Sequence, residues 1–213
     1  MGVKTRLFAA AYDRMNESTE EAGLREHRRE LLTRAHGRVL EIGGGTGANL
    51  PLYGDAVTSL IVTEPDPSML RRLETRAEEQ DRPIDVVRAP AEELPFEDGS
   101  FDYAVSTLVL CGVEDQPRAL NELRRVLKPD GQLLFIEHVR ADEDRLAGWQ
   151  DRLNWLNQLV VNCDCNRRTL DGICAAGFEV QEVAHGELQK VPPFVRPLIV
   201  GAAVSGGEPG GVS

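Results

Sequence analysis

The chain has 213 residues, 41% hydrophobic and 28% charged, with a formal net charge of −11. That length and composition suit one globular domain, and no apolar run reaches the ~18 residues of a membrane span. The acidic balance argues against nonspecific contact with nucleic acid or anionic membrane, which needs clustered Lys and Arg.

From the N-terminus, "MGVKTRLFAAAYDRM" joins a basic start to a short apolar patch. Asp13 and Arg14 interrupt the patch, so it reads as mature protein and not as a signal peptide. Residues 5–35 read as helical, with Leu24, His27, Arg28, Leu31 and Leu32 at three-and-four spacing and "NEST" breaking the run in two. Basic clusters in "REHRRELLTR" and "LRRVLK" alternate with acids and read as solvated helix faces.

Strands and helices then alternate. "RVLEIG" is a first strand, and "ANLPLYG" opens a helix that Pro51 delays or shortens. "VTSLIVTEP" is a second strand, followed by the amphipathic helix "PSMLRRLETRAEEQ". "IDVVRAPAEELPF" is a third strand and loop, and "SFDYAVSTLVLCGV" a fourth strand. "DQPRALNELRRVLKPDG" is a helix stopped by Pro129 and Gly131, and "GQLLFIEHV" a fifth strand. This order implies a parallel sheet covered on both faces.

After His138 the pattern changes. "DRLAGWQDRLNWLNQLVVNC" is a long helix whose Trp149, Leu153, Trp155 and Leu156 are expected to line an acceptor pocket or to pack on the sheet. "RRTLDGICAAGF" is a further helix. "FEVQEVAHGE" and "PFVRPLIVGAAV" are two strands whose link is too short for a crossover, so they pair antiparallel. The second of them offers an apolar edge for a homodimer. The tail "SGGEPGGVS" is expected to be disordered. Four cysteines, Cys111, Cys163, Cys165 and Cys174, are too few for a disulfide scaffold, which implies reduced thiols and a cytoplasmic location. The four histidines stand at no metal-ligand spacing, so no metal is expected.

The glycine-rich turn in "VLEIGGGTGANLP" lets a ligand approach backbone without meeting a Cβ. Gly43, Gly45 and Ala48 satisfy a dinucleotide fingerprint in form. Two features oppose a dinucleotide. The carboxylate of Glu41 would repel a pyrophosphate yet suit a ligand with a cationic amino group, and the sheet ends in an antiparallel pair and not in a repeated βαβ unit. Glu64 closes the second strand 21 residues after Gly43, where an acid accepts hydrogen bonds from ribose hydroxyls. An adenosine-bearing cofactor fits best. A nicotinamide-dependent oxidoreductase and a noncatalytic binding module stay open as alternatives.

These segments together resemble a class I S-adenosylmethionine-dependent methyltransferase of the ubiquinone/menaquinone-biosynthesis-like branch. "LEIGGGTG" matches the first motif at Glu41, Gly43, Gly45 and Gly47, and "VTEPDPSML" the second. "APAEELPFEDGSFD" matches the third, and "LRRVLKPDGQLLFIE" the helix and strand after it. The resemblance implies a Rossmann-like seven-stranded, mostly parallel sheet with helices on both faces. It implies one domain over 1–203, a helical lid over about 1–36 and a tail over 204–213. S-adenosylmethionine would be the cofactor, with S-adenosylhomocysteine as product. Glu64 would face the ribose, with Pro65 also in the cofactor set, Met69 would lie near the adenine, and Glu92, with the Ala91 backbone beside it, next to the adenine amino group. Thr107 and the lid residue Tyr12, next to Asp13, complete the cofactor set.

A narrower resemblance to the methyltransferase-like thiol methyltransferase group is carried by "YDRM", "LRRELL", "VLCGVEDQPRALNELRRVLKPDGQLLFIEHV" and "CDCNRRTLDGICAAGFEV". It suggests a thiol as the small-molecule acceptor. Animal members of that group carry a hydrophobic N-terminal anchor; no such stretch stands here, so membrane attachment is not carried over. The methyl of a sulfonium is already electrophilic, so placing a nucleophile in line and excluding water is the main task. A base is optional for a thiol, a few per cent of which is thiolate at neutral pH. His138 and Glu137 at the end of the fifth strand, and Asp164 in "NCDCN", are the candidate bases. Cys111 reads as core packing.

Overall fold

The computed structural model describes residues 18–161 and 163–206. Runs of Val, Ile and Leu bounded by Gly, Pro and Asp form seven strands in one sheet. They are β1 (Gly37–Ile42), β2 (Val57–Thr63), β3 (Ile84–Val87), β4 (Phe101–Thr107), β5 (Leu127–His138), β6 (Phe178–Glu187) and β7 (Pro197–Ser205). Their spatial order is β3-β2-β1-β4-β5-β7-β6. The first five pair in parallel, and β7 runs antiparallel to both neighbours. The C-terminal antiparallel pair therefore forms as expected, but β7 is inserted between β5 and β6. Both its edges are hydrogen-bonded, from Gln132↔Val204 to His138↔Leu198 on one side and along β6 on the other. The strand expected to offer a dimer edge has no free edge.

Alternation along the strands feeds two apolar layers. Leu40, Ile42, Phe101, Ala104, Leu133 and Phe135 face one side, where Ala119, Leu120, Leu123 and Val126 of α3 (Gln116–Val126) and Ile173 of α5 (Thr169–Ala175) cover them. Val39, Leu60, Val62, Val105, Leu134 and Ile136 face the other, beneath Leu31 and Leu32 of α1 (Arg25–Leu32) and Leu73 of α2 (Pro67–Glu78). Asp66 and Asp115 set the starts of α2 and α3. Their side chains accept from Ser68 N and Met69 N, and from Arg118 N, respectively.

Four local readings change. The helix expected after β1 is a single 3-10 turn, Leu50–Leu52, because Pro51 has no N–H to extend it. The fourth strand stops at Thr107: Leu108 takes φ 60°, and 108–113 is a turn. The fifth strand begins at Leu127, directly after α3, before the expected stop at Pro129. The tryptophans of α4 (Asp144–Val161) do not pack inward; Trp149 and Trp155 are 54% and 64% exposed. The inner face of α4 is an amide face instead. Gln150 Nε2 donates to the carbonyls of Val139 and Cys165, and Asn157 Nδ2 to that of Cys163. These bonds satisfy backbone that a tryptophan would leave unpaired.

At the N-terminal end a π-turn, Glu20–Leu24, with Gly23 at φ 130°, leads into α1. Tyr12, Asp13 and the rest of 1–17, and the tail residues 207–213, lie outside the described residues. Among the described residues no helix is long and apolar enough to cross a membrane.

Candidate active site

The carboxyl ends of β1, β2 and β4 meet where strand order reverses around β1, the position at which open α/β sheets take ligands. The turn after β1 occupies this point. Gly44 N–H donates to the Thr63 carbonyl at 2.9 Å and Gly47 N–H to that of Gly44 at 2.8 Å. A Cβ on Gly43 would stand 2.6 Å from Val109 Cγ2, and one on Gly44 2.3 Å from Val62 Cγ1. Gly44, which matches no motif position, is thus dictated by packing of the turn on β2. At Gly45 a Cβ would meet nothing within 4 Å. This is where the turn faces open space.

Glu64, at the end of β2, reaches this same glycine. Its Oε2 accepts from Gly45 N–H and its Oε1 from Asp66 N–H, each at 2.9 Å. Burial raises the Glu64 carboxyl above its ordinary pKa, and the two backbone donors oppose that rise. Pro65 is exposed, and Met69 is half-buried in the first turn of α2. Glu92 Oε1 accepts from the N–H groups of Glu114 and Asp115, at 2.9 and 3.2 Å, tying the loop after β3 to the approach to α3. Ala91 is buried beside it. An open glycine backbone with a carboxylate hydrogen-bonded directly to it is a donor-acceptor set that suits the ribose and amino-acid parts of S-adenosylmethionine.

Behind the turn lies a polar network that the sequence reading did not anticipate. Arg28, from α1, is buried: its Nη1 donates to Thr107 Oγ1 at 2.7 Å and to Asn49 Oδ1 at 2.9 Å, while its Nε pairs with Glu20 at 3.0 Å. Asn49 Nδ2 donates to both Thr107 Oγ1 and Glu41 Oε1 at 3.0 Å, and Tyr53 donates to Glu41 Oε2 at 2.7 Å. Glu41 is 1% exposed, and burial pushes its carboxyl above the usual range. The expectation that it presents a bare carboxylate to a ligand is corrected: both oxygens are engaged from within. The signal for Arg28 lay in its spacing. It shares the apolar stripe of Leu24, Leu31 and Leu32, where a solvated basic residue does not belong.

The candidate bases divide sharply. Glu137 is fully buried, and its carboxylate accepts from Ser106 Oγ at 2.6 Å and from the N–H groups of Val109, Leu110 and Cys111. It clamps the turn after β4 and has no outward face. Asp164 accepts from Asn154 Nδ2, Gln158 Nε2 and Arg167 Nη2, so it latches α4 to the approach to α5. His138 differs. The backbone of Pro197 and Val195 opposes the fall in the pKa of its ring. Nδ1 is buried with no hydrogen-bond partner among the described residues. Burial lowers the His138 pKa to about 4, so the ring is neutral at pH 7. No cluster of His, Cys, Asp or Glu that could hold a metal ion occurs among the described residues.

Residues 40–135 match the methyltransferase domain family model. The chain is 36% identical over 174 residues to thiol S-methyltransferase TMT1A of Homo sapiens, covering 78% of this chain and 70% of that protein. It is 32% identical over 168 residues to the ubiquinone/menaquinone biosynthesis C-methyltransferase UbiE of Marinomonas sp., covering 72% and 67%. A solved S-adenosylmethionine-dependent methyltransferase of Thermotoga maritima superimposes with a TM-score of 0.68 at 25% identity, covering 92% of this chain and 95% of that one. Neither the oxidoreductase nor the noncatalytic alternative gains support from these relatives. On this fold, this glycine turn and these similarities, the chain belongs to the class I S-adenosylmethionine-dependent methyltransferases.

Proposed function

We propose that the acceptor is a small thiol, methylated on sulfur. The observation that carries this reading is the 36% identity with the human thiol S-methyltransferase over 174 residues. S-adenosylmethionine, when bound, supplies an electrophilic methyl group. The protein's residues bind, orient and exclude water. Glu64 would accept from the ribose hydroxyls, and the open backbone at Gly45 would let the cofactor lie against the turn. Ala91 and Glu92 would border the adenine, as would Met69. Arg28 has Nη2 without a hydrogen-bond partner among the described residues. Beside the Thr107 hydroxyl, it offers donors to the carboxylate of the cofactor's amino-acid part.

On the acceptor side, His138 stands at the end of β5 with its Nδ1 buried, so this atom presents no surface to an incoming S–H. A ring that holds a proton only below about pH 4 is a poor store for the proton of a thiol, whose free pKa is ~8.5. His138 therefore serves as no proton store, and the small thiolate fraction present at neutral pH reacts. Glu137 and Asp164 are assigned to holding the walls. The −11 charge favours a small-molecule acceptor over nucleic acid, and the reduced cysteines favour the cytoplasm. All these residues come from one chain.

The test is a panel of thiols, phenols, amines and quinol precursors, followed by S-adenosylhomocysteine release with product mass analysis. Thiols should yield S-methyl products. Turnover of another class with no thiol methylated would overturn the reading.

A further inference from the structure

Cys111, in the turn after β4, and Cys163, in the connection from α4 to α5, bring their Sγ atoms to 3.1 Å across a sequence separation of 52. Both are buried, at 1% and 8% exposure. The backbones that carry them are joined here. Asp164 N–H donates to the Cys111 carbonyl at 2.8 Å. Cys111 N–H is held by Glu137 at 3.1 Å, and the Cys163 carbonyl by Asn157 at 2.7 Å. A disulfide needs the two sulfurs to approach by about a further 1 Å.

We propose that Cys111 and Cys163 are a redox pair that forms a reversible disulfide by exchange with a small-molecule disulfide, and that the bond shuts down methyl transfer. Cysteine pairs that oxidise in a reducing compartment are characteristically transient and regulatory. Cys163 is the more exposed member and is the attacking thiol. It loses its proton to water, and its sulfur bonds to one sulfur of the small disulfide, releasing one thiolate that takes up a proton. Cys111 then loses its proton, and its sulfur attacks Cys163 Sγ in the mixed disulfide and expels the second thiolate, which is also protonated. In sum, two protein thiols are oxidised by two electrons and one small disulfide is reduced to two small thiols.

The bond would draw together two segments that Glu137 and Asp164 already pin. On the proposed function, these segments wall the acceptor side, so the consequence for turnover rests on that reading while the disulfide does not. The glycine turn and Glu64 lie outside the link, so cofactor binding is spared. A wall shift of about 1 Å costs on the order of a hundredfold in rate.

The full chain is equilibrated with oxidised and reduced glutathione at several ratios, alkylated, digested and mapped by mass. A peptide pair joined through Cys111 and Cys163 should grow with the oxidised share and vanish with excess reduced glutathione. S-adenosylhomocysteine affinity by calorimetry should stay within about twofold while thiol methylation falls about a hundredfold. Cys163→Ser should abolish the link and the sensitivity to oxidised glutathione. If that variant fails to fold, the wild-type peptide map still decides. No Cys111–Cys163 peptide at any ratio, or a full link with unchanged turnover, overturns the proposal. If the reduced protein methylates no thiol, the proposed function fails instead, and the map alone judges the pair.

Discussion

Replacing Glu64 by Ala removes the acceptor assigned to the ribose and leaves the N–H groups of Gly45 and Asp66 without their partner. Hydrogen bonds to a charged group contribute about 1.5–3 kcal/mol each, so S-adenosylhomocysteine should bind at least about tenfold more weakly by calorimetry. Unchanged affinity would remove Glu64 from the site. Arg28→Met should act on both folding and binding. It leaves Glu20 without its cation and Asn49 Oδ1 without a donor, while Thr107 Oγ1 keeps only the bond from Asn49, which for a largely buried pair costs about 3–5 kcal/mol in urea unfolding. A loss below about 1 kcal/mol would show that the network is incidental. These two residues also mark what a sequence can disclose. Glu64 was legible because its distance from the glycine turn is fixed by one helix-strand repeat. The network around Glu41 was not, because its partners Asn49 and Tyr53, and Arg28 and Thr107 beyond them, come from separate parts of the chain, and only packing brings them together.

Elements were legible where periodicity or a cap defined them, as in α2 and α3, and illegible where a tertiary partner overrode the pattern. Trp149 and Trp155 fall at helical spacing, yet α4 turns Gln150 and Asn157 inward because the irregular backbone at Val139, Cys163 and Cys165 needs donors. The glycine turn is the element whose two functions can be separated by experiment. Gly44→Ala drives a methyl into Val62 and should cost about 1–3 kcal/mol of stability. Gly45→Ala meets no atom, but at φ 57° it carries about 1–2 kcal/mol of backbone strain. Stability alone will not tell the two apart; affinity should. In protein that remains folded, Gly45→Ala should lose about tenfold or more in S-adenosylhomocysteine binding, because its methyl occupies the cofactor's approach, while Gly44→Ala keeps most of it. Equal losses would mean that the turn does not present Gly45 to the ligand.

At the scale of the whole molecule, the buried ionisable groups on and behind the strand ends make stability respond to pH in two opposing ways. His138 binds a proton at about pH 4 in the fold, against 6.5 when unfolded. As pH falls the unfolded chain takes the proton first. The His138 contribution is therefore fully present above pH 6.5 and is lost as pH falls towards 4, by about 3 kcal/mol in all. Glu41, Glu64 and Glu137 are raised by burial above 4.5, so the fold binds their protons before the unfolded chain does. Their contribution is fully present below pH 4.5 and is lost as pH rises through each folded value. The two trends overlap in the acid range, so a wild-type profile alone assigns neither. Comparison with His138→Leu isolates the histidine. Urea unfolding of both proteins, followed by far-UV circular dichroism in reducing buffer from pH 4 to 8, should give a difference that is flat above about pH 7. Below that the difference should move by about 3 kcal/mol in favour of the variant as pH approaches 4. Parallel curves across the range would mean that the His138 ring titrates alike folded and unfolded. The unpaired Nδ1 would then have access to water in the fold.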